Sequence, residues 1–263
     1  MSQFDLVILG GGSGGYAAAL RGAQLGLSVA LIEADKVGGT CLHRGCIPTK
    51  ALLHSAEIAD GAREGSHFGV RSTFDGIDMA GVNAYKDGVI NKLHKGLSGL
   101  VKSRNITYIE GYGKLVAKDT VEVNGTRYTG KNVILATGSY AKTLPGLEID
   151  GEKIITSDHG TKMSYVPKSV IVLGGGVIGC EFASVWKSFG SDVRIIEGLP
   201  HLVPLEDESS SKLLERAYRK RGINFEVGVR FSGVSETATG IKVTLEDGRD
   251  FEADILLVAV GRG

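Results

Sequence analysis

The sequence predicts an α/β fold of two domains, each built on a central parallel sheet. Three observations predict it. A strand–glycine loop–helix–strand pattern occurs twice, short apolar runs alternate with helical stretches, and Asn-Gly and Asp-Gly pairs lie between alternating runs that read as β-hairpins.

The duplication is read by setting LGGGSGGYAAALRGAQLGLSVALIE (9–33) over LGGGVIGCEFASVWKSFGSDVRIIE (173–197), an offset of 164 positions. Gly10, Gly12 and Gly15 fall on Gly174, Gly176 and Gly179, and Glu33 falls on Glu197. The first glycine makes the turn, the second lets backbone approach a pyrophosphate, and the third lets the helix pack on the strand. The helix N-terminus offers N–H groups to phosphates, and an acid about 20 residues on accepts ribose hydroxyls. One such loop is weak, because glycine turns recur by chance. Two copies with strand, helix and acid in register predict two Rossmann-like dinucleotide-binding domains.

Along the chain, residues 4–9 read as a buried strand and the helix after it stops at Gly26, where a positive φ is useful. A second strand ends in Glu33. Residues 50–64 read as a helix, and 78–103 as a longer one broken near Gly96 and Gly99. NITYIEGYG (105–113) reads as a strand, and Asn124-Gly125 as a type I′ hairpin leading into NVILATGS (132–139). The turn-rich LPGLEIDG (144–151) suggests a boundary, with domains at 1–147 and 148–263. In the second half, 169–173 is a strand and its helix stops at Gly190. Residues 206–221 form a structural helix with acids at its start, bases at its end and Gly222 as stop. Asp247-Gly248 marks a further hairpin.

Thirty basic and thirty acidic residues give zero net charge, so nothing points to nucleic acid or an anionic membrane surface. No apolar run approaches the ~18 residues of a membrane span. Hydrophobic residues at 42% argue against disorder, and the 39 glycines cluster in loops. Three cysteines leave an odd one, against a secreted disulfide framework, and the start MSQFDLVILGGG carries no leader pattern. The expectation is a cytoplasmic protein.

Two of the cysteines stand together in GGTCLHRGCIPTK (38–50). A zinc site wants about four ligands, and neither His43 nor His54 gives a familiar spacing, so no metal is expected. A structural disulfide over so short a loop gains little. A redox pair explains more. Gly45 and Pro48 loosen the helix start so that the sulfurs can meet, a helix N-terminus favours thiolate, and Lys50 lies one turn beyond Cys46. Thiol–disulfide exchange beside two dinucleotide sites calls for a carrier that handles both thiols and hydride, which a flavin does. That places FAD in the first loop and a nicotinamide nucleotide in the second. Glu197 suits free ribose hydroxyls, and Arg194 points away from it, so NAD is expected over NADP. Cys180, in the slot of Tyr16, reads as packing.

GGTCLHRGCIPTK, the paired glycine loops, ATGS (136–139) and AVGR (259–262) together resemble the pyridine nucleotide–disulfide oxidoreductases, over the whole chain. The resemblance is nearest to the branch that oxidises protein-bound dihydrolipoamide. It implies that electrons pass through a Cys41–Cys46 disulfide and FAD to NAD. Cys41 would be the interchange thiol and Cys46 the thiol under the flavin, with Lys50 near the flavin and Glu181 as its partner. Gly10, Gly12, Ser13, Gly14, Gly15, Glu33, Gly39, Thr40, Gly113, Thr137, Gly138 and Ser139 would contact FAD. Gly174, Gly176, Val177, Ile178, Gly179, Glu197 and Gly261 would contact NAD. The implied partners are a lipoyl-bearing carrier of a 2-oxo acid dehydrogenase or glycine cleavage complex and, in the intact enzyme, a second copy. The family also carries an interface domain with an acid–base histidine, for which these residues hold no stand-in. The chain is therefore expected to be a fragment, inactive alone and weak in holding FAD. The alternatives are a related NAD(P)H-dependent disulfide reductase and an inactive nucleotide-binding remnant. 

Overall fold

A computed structural model describes residues 2–263. The chain divides into two compact units. The first comprises Met1–Pro48 and Asp87–Ser139, the second Thr49–Lys86 and Tyr140–Gly263. The sequence reading drew a single boundary between residues 147 and 148.

The first unit is built on a six-stranded sheet in the order β3-β2-β1-β6-β5-β4. Its strands are β1 (Ser2–Leu9), β2 (Val29–Glu33), β3 (Thr107–Glu110), β4 (Gly113–Ala117), β5 (Thr120–Val123) and β6 (Thr126–Leu135). β3, β2, β1 and β6 are parallel, while β5 and β4 continue as an antiparallel meander. Both faces of the parallel part are buried, which is why these strands read as continuous apolar runs. Leu6, Ile8, Val29 and Leu31 join the core with α1 (Ser13–Gln24), and Val7, Ala30 and Ile32 pack on Val121 and Val123 of the meander. Asn124 and Gly125 both have positive φ, 48° and 77°, as the type I′ turn requires.

The second unit holds an all-parallel five-stranded sheet, β10-β9-β8-β14-β7. Its strands are β7 (Ile154–Thr156), β8 (Ser169–Leu173), β9 (Asp192–Glu197), β10 (Asn224–Val227) and β14 (Ile255–Val258). One face packs on α6 (Val177–Phe189) and Tyr218 of α7 (Glu208–Arg221). The other packs on an antiparallel sheet of β11 (Phe231–Glu236), β12 (Ile241–Leu245) and β13 (Asp250–Ala253), with Ile241, Val243 and Leu245 turned inward. The helix α7 has the expected caps: Asp207 accepts the Ser209 N–H at 2.8 Å, and Gly222 closes it at φ 70°.

Three sequence expectations are corrected. The long helix α4 (Met79–Ser103) runs unbroken through Gly96 and Gly99. An interior glycine costs only about 1 kcal/mol against alanine, too little to interrupt a long helix. The stretch 105–113 is two strands rather than one, because Gly111 turns the chain at φ 146° between β3 and β4. The helix read as 50–64 begins earlier, as α3 (Cys46–Glu64), with Pro48 in the first turn, where its missing N–H costs nothing. At Asp247-Gly248 the hairpin forms as read, with positive φ at Gly248 alone.

Candidate functional site

In the first unit the loop from β1 to α1 is set by close backbone approach. A Cβ on Gly10 would lie 2.1 Å from the Ala136 carbonyl oxygen, and one on Gly15 only 1.8 Å from that of Gly10. α1 starts from an extended Gly12 that supplies no side-chain cap, so its first-turn N–H groups suit a phosphate. Glu33 is locked to the loop. Its Oε2 accepts the Gly11 N–H at 2.6 Å and its Oε1 the Asp35 N–H at 2.8 Å, leaving lone pairs for hydroxyls. Around it runs a cleft of about 320 Å³, lined by Gly10, Gly12, Glu33, Gly39, Thr40, Gly113, Thr137, Gly138 and Ser139. Ser13 and Gly14 are exposed at the start of α1, and Gly15 is buried beneath the loop. The lining also includes Tyr112, 83% exposed, and His43 and Arg44, which the sequence reading did not assign to a nucleotide. The only signal for Tyr112 was its place inside GYG.

The cysteines of this unit straddle a break between helices. Cys41 lies in the short helix α2 (Gly39–His43), and Cys46 is the first residue of α3. Arg44 and Gly45 separate the helices, so the thiols avoid the splay of one continuous helix. Cys41 neighbours the side chains of Cys46 and of Ser13, which stands at the N-terminus of α1. Burial first, and then the neighbouring Cys46, push the Cys41 thiol above its ordinary value. Both sulfurs are thiols here, Cys46 exposed and Cys41 partly so. His43 Nε2 lies 3.0 Å from the Val37 carbonyl, and its ring meets His94 edge-on at 5.0 Å. Among the described residues, no group of three or more His, Cys, Asp or Glu side chains could hold a metal.

The second unit repeats the nucleotide geometry. Gly174 takes φ 107° against 104° at Gly10, and a Cβ on Gly179 would lie 1.9 Å from the Gly174 carbonyl oxygen. α6 also starts from an extended glycine, Gly176, with no side-chain cap. Glu197, only 8% exposed, accepts the Gly175 N–H at 2.6 Å and the Leu199 N–H at 2.7 Å. Gly174, Gly176, Val177, Ile178, Glu197 and Gly261 line a cleft of about 670 Å³, while Gly179 packs under the loop. Arg194 is occupied elsewhere, 2.6 Å from Glu226 and stacked on Phe251. Beyond the acid the chain returns, and Val203 N–H bonds the Gly175 carbonyl at 2.7 Å, as Gly38 does to Gly11 at 2.8 Å. Val203 does so at φ 43°, an uncommon angle for a β-branched residue and one that no residue pattern announces. Cys180 is buried, its thiol donates to the Gly175 carbonyl at 3.3 Å, and burial pushes it up to about 12.

Lys50, in the α3 segment of this unit, meets Glu181 of α6 at 2.6 Å. Lys50 does not line the first cleft.

The parallel sheets, the two glycine-loop clefts and the thiol pair together have the architecture of a two-dinucleotide, thiol-bearing fold. The chain matches the pyridine nucleotide-disulphide oxidoreductase family over residues 4–263 and belongs to it. FAD and NAD are the cofactors of this family. Among its relatives, a dihydrolipoyl dehydrogenase of Bacillus subtilis is 41% identical over 279 residues, covering 99% of this chain and 59% of the relative. A mitochondrial dihydrolipoyl dehydrogenase of Pisum sativum is 40% identical over 270 residues, covering 98% and 54%. The crystal structure of LpdA from Mycobacterium tuberculosis superposes with a TM-score of 0.90 at 27% identity, covering 100% of this chain and 59% of that one. The chain thus spans a little over half the length of the relatives it matches.

Proposed function

We propose that these residues form the cofactor-binding and thiol-bearing part of a dihydrolipoamide dehydrogenase, with FAD held by residues 1–147 and NAD by 148–263. One observation carries the reading. The Cys41 thiol neighbours both Cys46 and Ser13, at the N-terminus of the helix that the first glycine loop opens. A dithiol is thereby set beside a phosphate-type helix terminus, an arrangement that packing alone does not require.

FAD, when bound, would supply two-electron exchange between the dithiol and a nicotinamide. Gly10, Gly12, Ser13, Gly14 and Gly15 would hold its pyrophosphate, with Glu33 on the ribose and Gly39, Thr40, Gly113, Thr137, Gly138 and Ser139 along its length. In the oxidised protein Cys41 and Cys46 would share a disulfide. One thiolate of dihydrolipoamide attacks Cys41 sulfur and forms a mixed disulfide, and Cys46 leaves as a thiolate. The second substrate thiol then displaces Cys41, so the substrate departs as a cyclic disulfide and the protein keeps two electrons as its dithiol. Lys50, paired to Glu181, would place a positive charge near the flavin. Gly174, Gly176, Val177, Ile178, Gly179 and Gly261 would seat NAD, with Glu197 accepting its ribose hydroxyls and repelling a 2′-phosphate.

The substrate would arrive on a lipoyl-bearing carrier of a 2-oxo acid dehydrogenase or glycine cleavage complex, in the cytoplasm, and the working enzyme would be a homodimer. Among the described residues, no helix is long and apolar enough to cross a membrane. The test is to assay NAD reduction by dihydrolipoamide in the intact FAD-loaded protein. Cys41→Ser and Cys46→Ser should each abolish it, and turnover that survives either change refutes the reading.

A further inference from the structure

Glu181 and Lys50 meet through a partly exposed contact, and exposed ion pairs fix geometry weakly. The same two helices are joined again further along. Asp60 lies ten residues beyond Lys50 on α3, about 15 Å along the axis at 1.5 Å per residue. Ser188 lies seven residues beyond Glu181 on α6. On α6 the seven-residue spacing returns Ser188 to the face that carries Glu181, while on α3 the ten residues leave Asp60 roughly 80° round the helix from Lys50, so the two contacts use adjoining stripes of α3.

At this second level the bonding is dense and directional. Ser188 Oγ donates to Asp60 Oδ2 at 2.6 Å. Arg221, at the end of α7, donates to Ser188 Oγ at 2.7 Å and to Ser184 Oγ at 2.6 Å. Its guanidinium also reaches Asp60 Oδ2 at 3.4 Å. Arg63 donates to Asp60 Oδ1 at 3.1 Å and to the Ser188 carbonyl at 2.5 Å. Ser188 is 3% exposed, so its hydroxyl depends on these partners, although Asp60 and Arg221 themselves keep about a third of their side chains in water. The apolar contact between these helices, through residues such as Leu52 and Ala56, is non-directional and would tolerate a small slide. The hydrogen-bonded junction would not, because the planar guanidinium of Arg221 binds α6 and the α3 carboxylate with one fixed fork.

We infer that the Asp60–Ser188–Arg221 junction sets the register of α3 on α6, and so is the positioning device for the Lys50–Glu181 pair. Asp60 and Ser188 act through Lys50 and Glu181 and touch no reacting atom. The functional weight of this inference rests on the proposal that the Lys50–Glu181 pair serves the flavin.

The experiment measures acylation of Lys50 by an amine-reactive ester in the full chain, resolved by peptide mass spectrometry. Lys153, paired with Glu236 in the same unit, is the internal reference. Glu181→Gln sets the ceiling for a Lys50 released from its partner. Asp60→Asn should raise Lys50 labelling towards that ceiling, by up to about fivefold, the span that loss of an exposed pair allows. Lys153 should not change, and Asp60→Asn combined with Glu181→Gln should label no faster than Glu181→Gln alone. Ser188→Ala is the milder second variant and should show the same pattern at smaller amplitude. Unchanged Lys50 labelling in both junction variants overturns the inference, as does an equal rise at Lys153, which would mean general loosening. In the FAD-loaded intact protein, Glu181→Gln should shift the flavin midpoint potential, and Asp60→Asn should shift it the same way by less. If labelling responds and the midpoint does not, the junction stands as a positioning device and the flavin role of the pair fails.

Discussion

Lys50 Nζ lies 2.6 Å from Glu181 Oε1, although 131 positions separate the two residues in the chain. Lys50 keeps 57% of its side chain exposed, so the pair adds little to folding. Glu181→Gln is expected to change unfolding free energy by less than about 1 kcal/mol. Urea denaturation monitored by circular dichroism checks this. A loss of several kcal/mol would mark the carboxylate as a structural group.

The cysteine pair should be reversibly oxidisable. Thiol titration before and after reduction should differ by two groups, and a count that never changes by two would sink the redox role. Reactivity should also carry a pH signature. Burial and Cys46 raise the Cys41 thiol, so its thiolate fraction at neutral pH is smaller than that of a free cysteine and grows only above the usual thiol range. Alkylation of Cys41 in the reduced protein should be slow at neutral pH and accelerate only at a higher pH than alkylation of a free cysteine. Cys46→Ala removes one source of the rise and should speed alkylation at neutral pH.

Glu197 should decide which nicotinamide nucleotide binds. Glu197→Arg is expected to move preference from NAD towards NADP by about 1–3 kcal/mol, because a charge-assisted contact is exchanged for one that favours phosphate. Titration calorimetry with each nucleotide measures it, and an unmodified protein that prefers NADP contradicts the assignment. Glu197→Ala is a different experiment. It strips the Gly175 and Leu199 N–H groups of their acceptor and should cost about 1–3 kcal/mol of stability.

Two glycine-to-alanine changes should behave oppositely. At Gly179 a Cβ would lie 1.9 Å from the Gly174 carbonyl oxygen, so alanine forces the helix off the strand, and a loss of at least about 1–3 kcal/mol is expected. At Gly96, in the exposed middle of α4, a Cβ would meet nothing within 4 Å. Alanine there should stabilise by about 0.5–1 kcal/mol through helix propensity. Thermal melts of both variants decide the matter.

Much of this was legible in the sequence where a local rule was absolute. The glycine loops announced themselves because no other residue fits beneath Gly10 and Gly174, and Asn124-Gly125 because both central φ angles must be positive. The errors arose where tertiary context outweighs propensity. Gly96 and Gly99 were overruled by the rest of a 25-residue helix, and the turn at Gly111 depends on strands paired from elsewhere in the chain. The junction at Asp60 was invisible, since serine, arginine and aspartate on helices ordinarily read as solvated surface. Val203 was invisible for the opposite reason, being a residue type that disfavours the angle it adopts.

The acid-to-glycine bond is made at 2.6 Å both by Glu33 to Gly11 and by Glu197 to Gly175. The polypeptide therefore contains its own replicate. Matched substitutions 164 positions apart can be compared within one purification, one buffer and one protein concentration. Whatever Glu33→Gln and Glu197→Gln share belongs to the loop itself. Whatever separates them reports what is particular to each copy: a dithiol after one acid, a strained valine after the other.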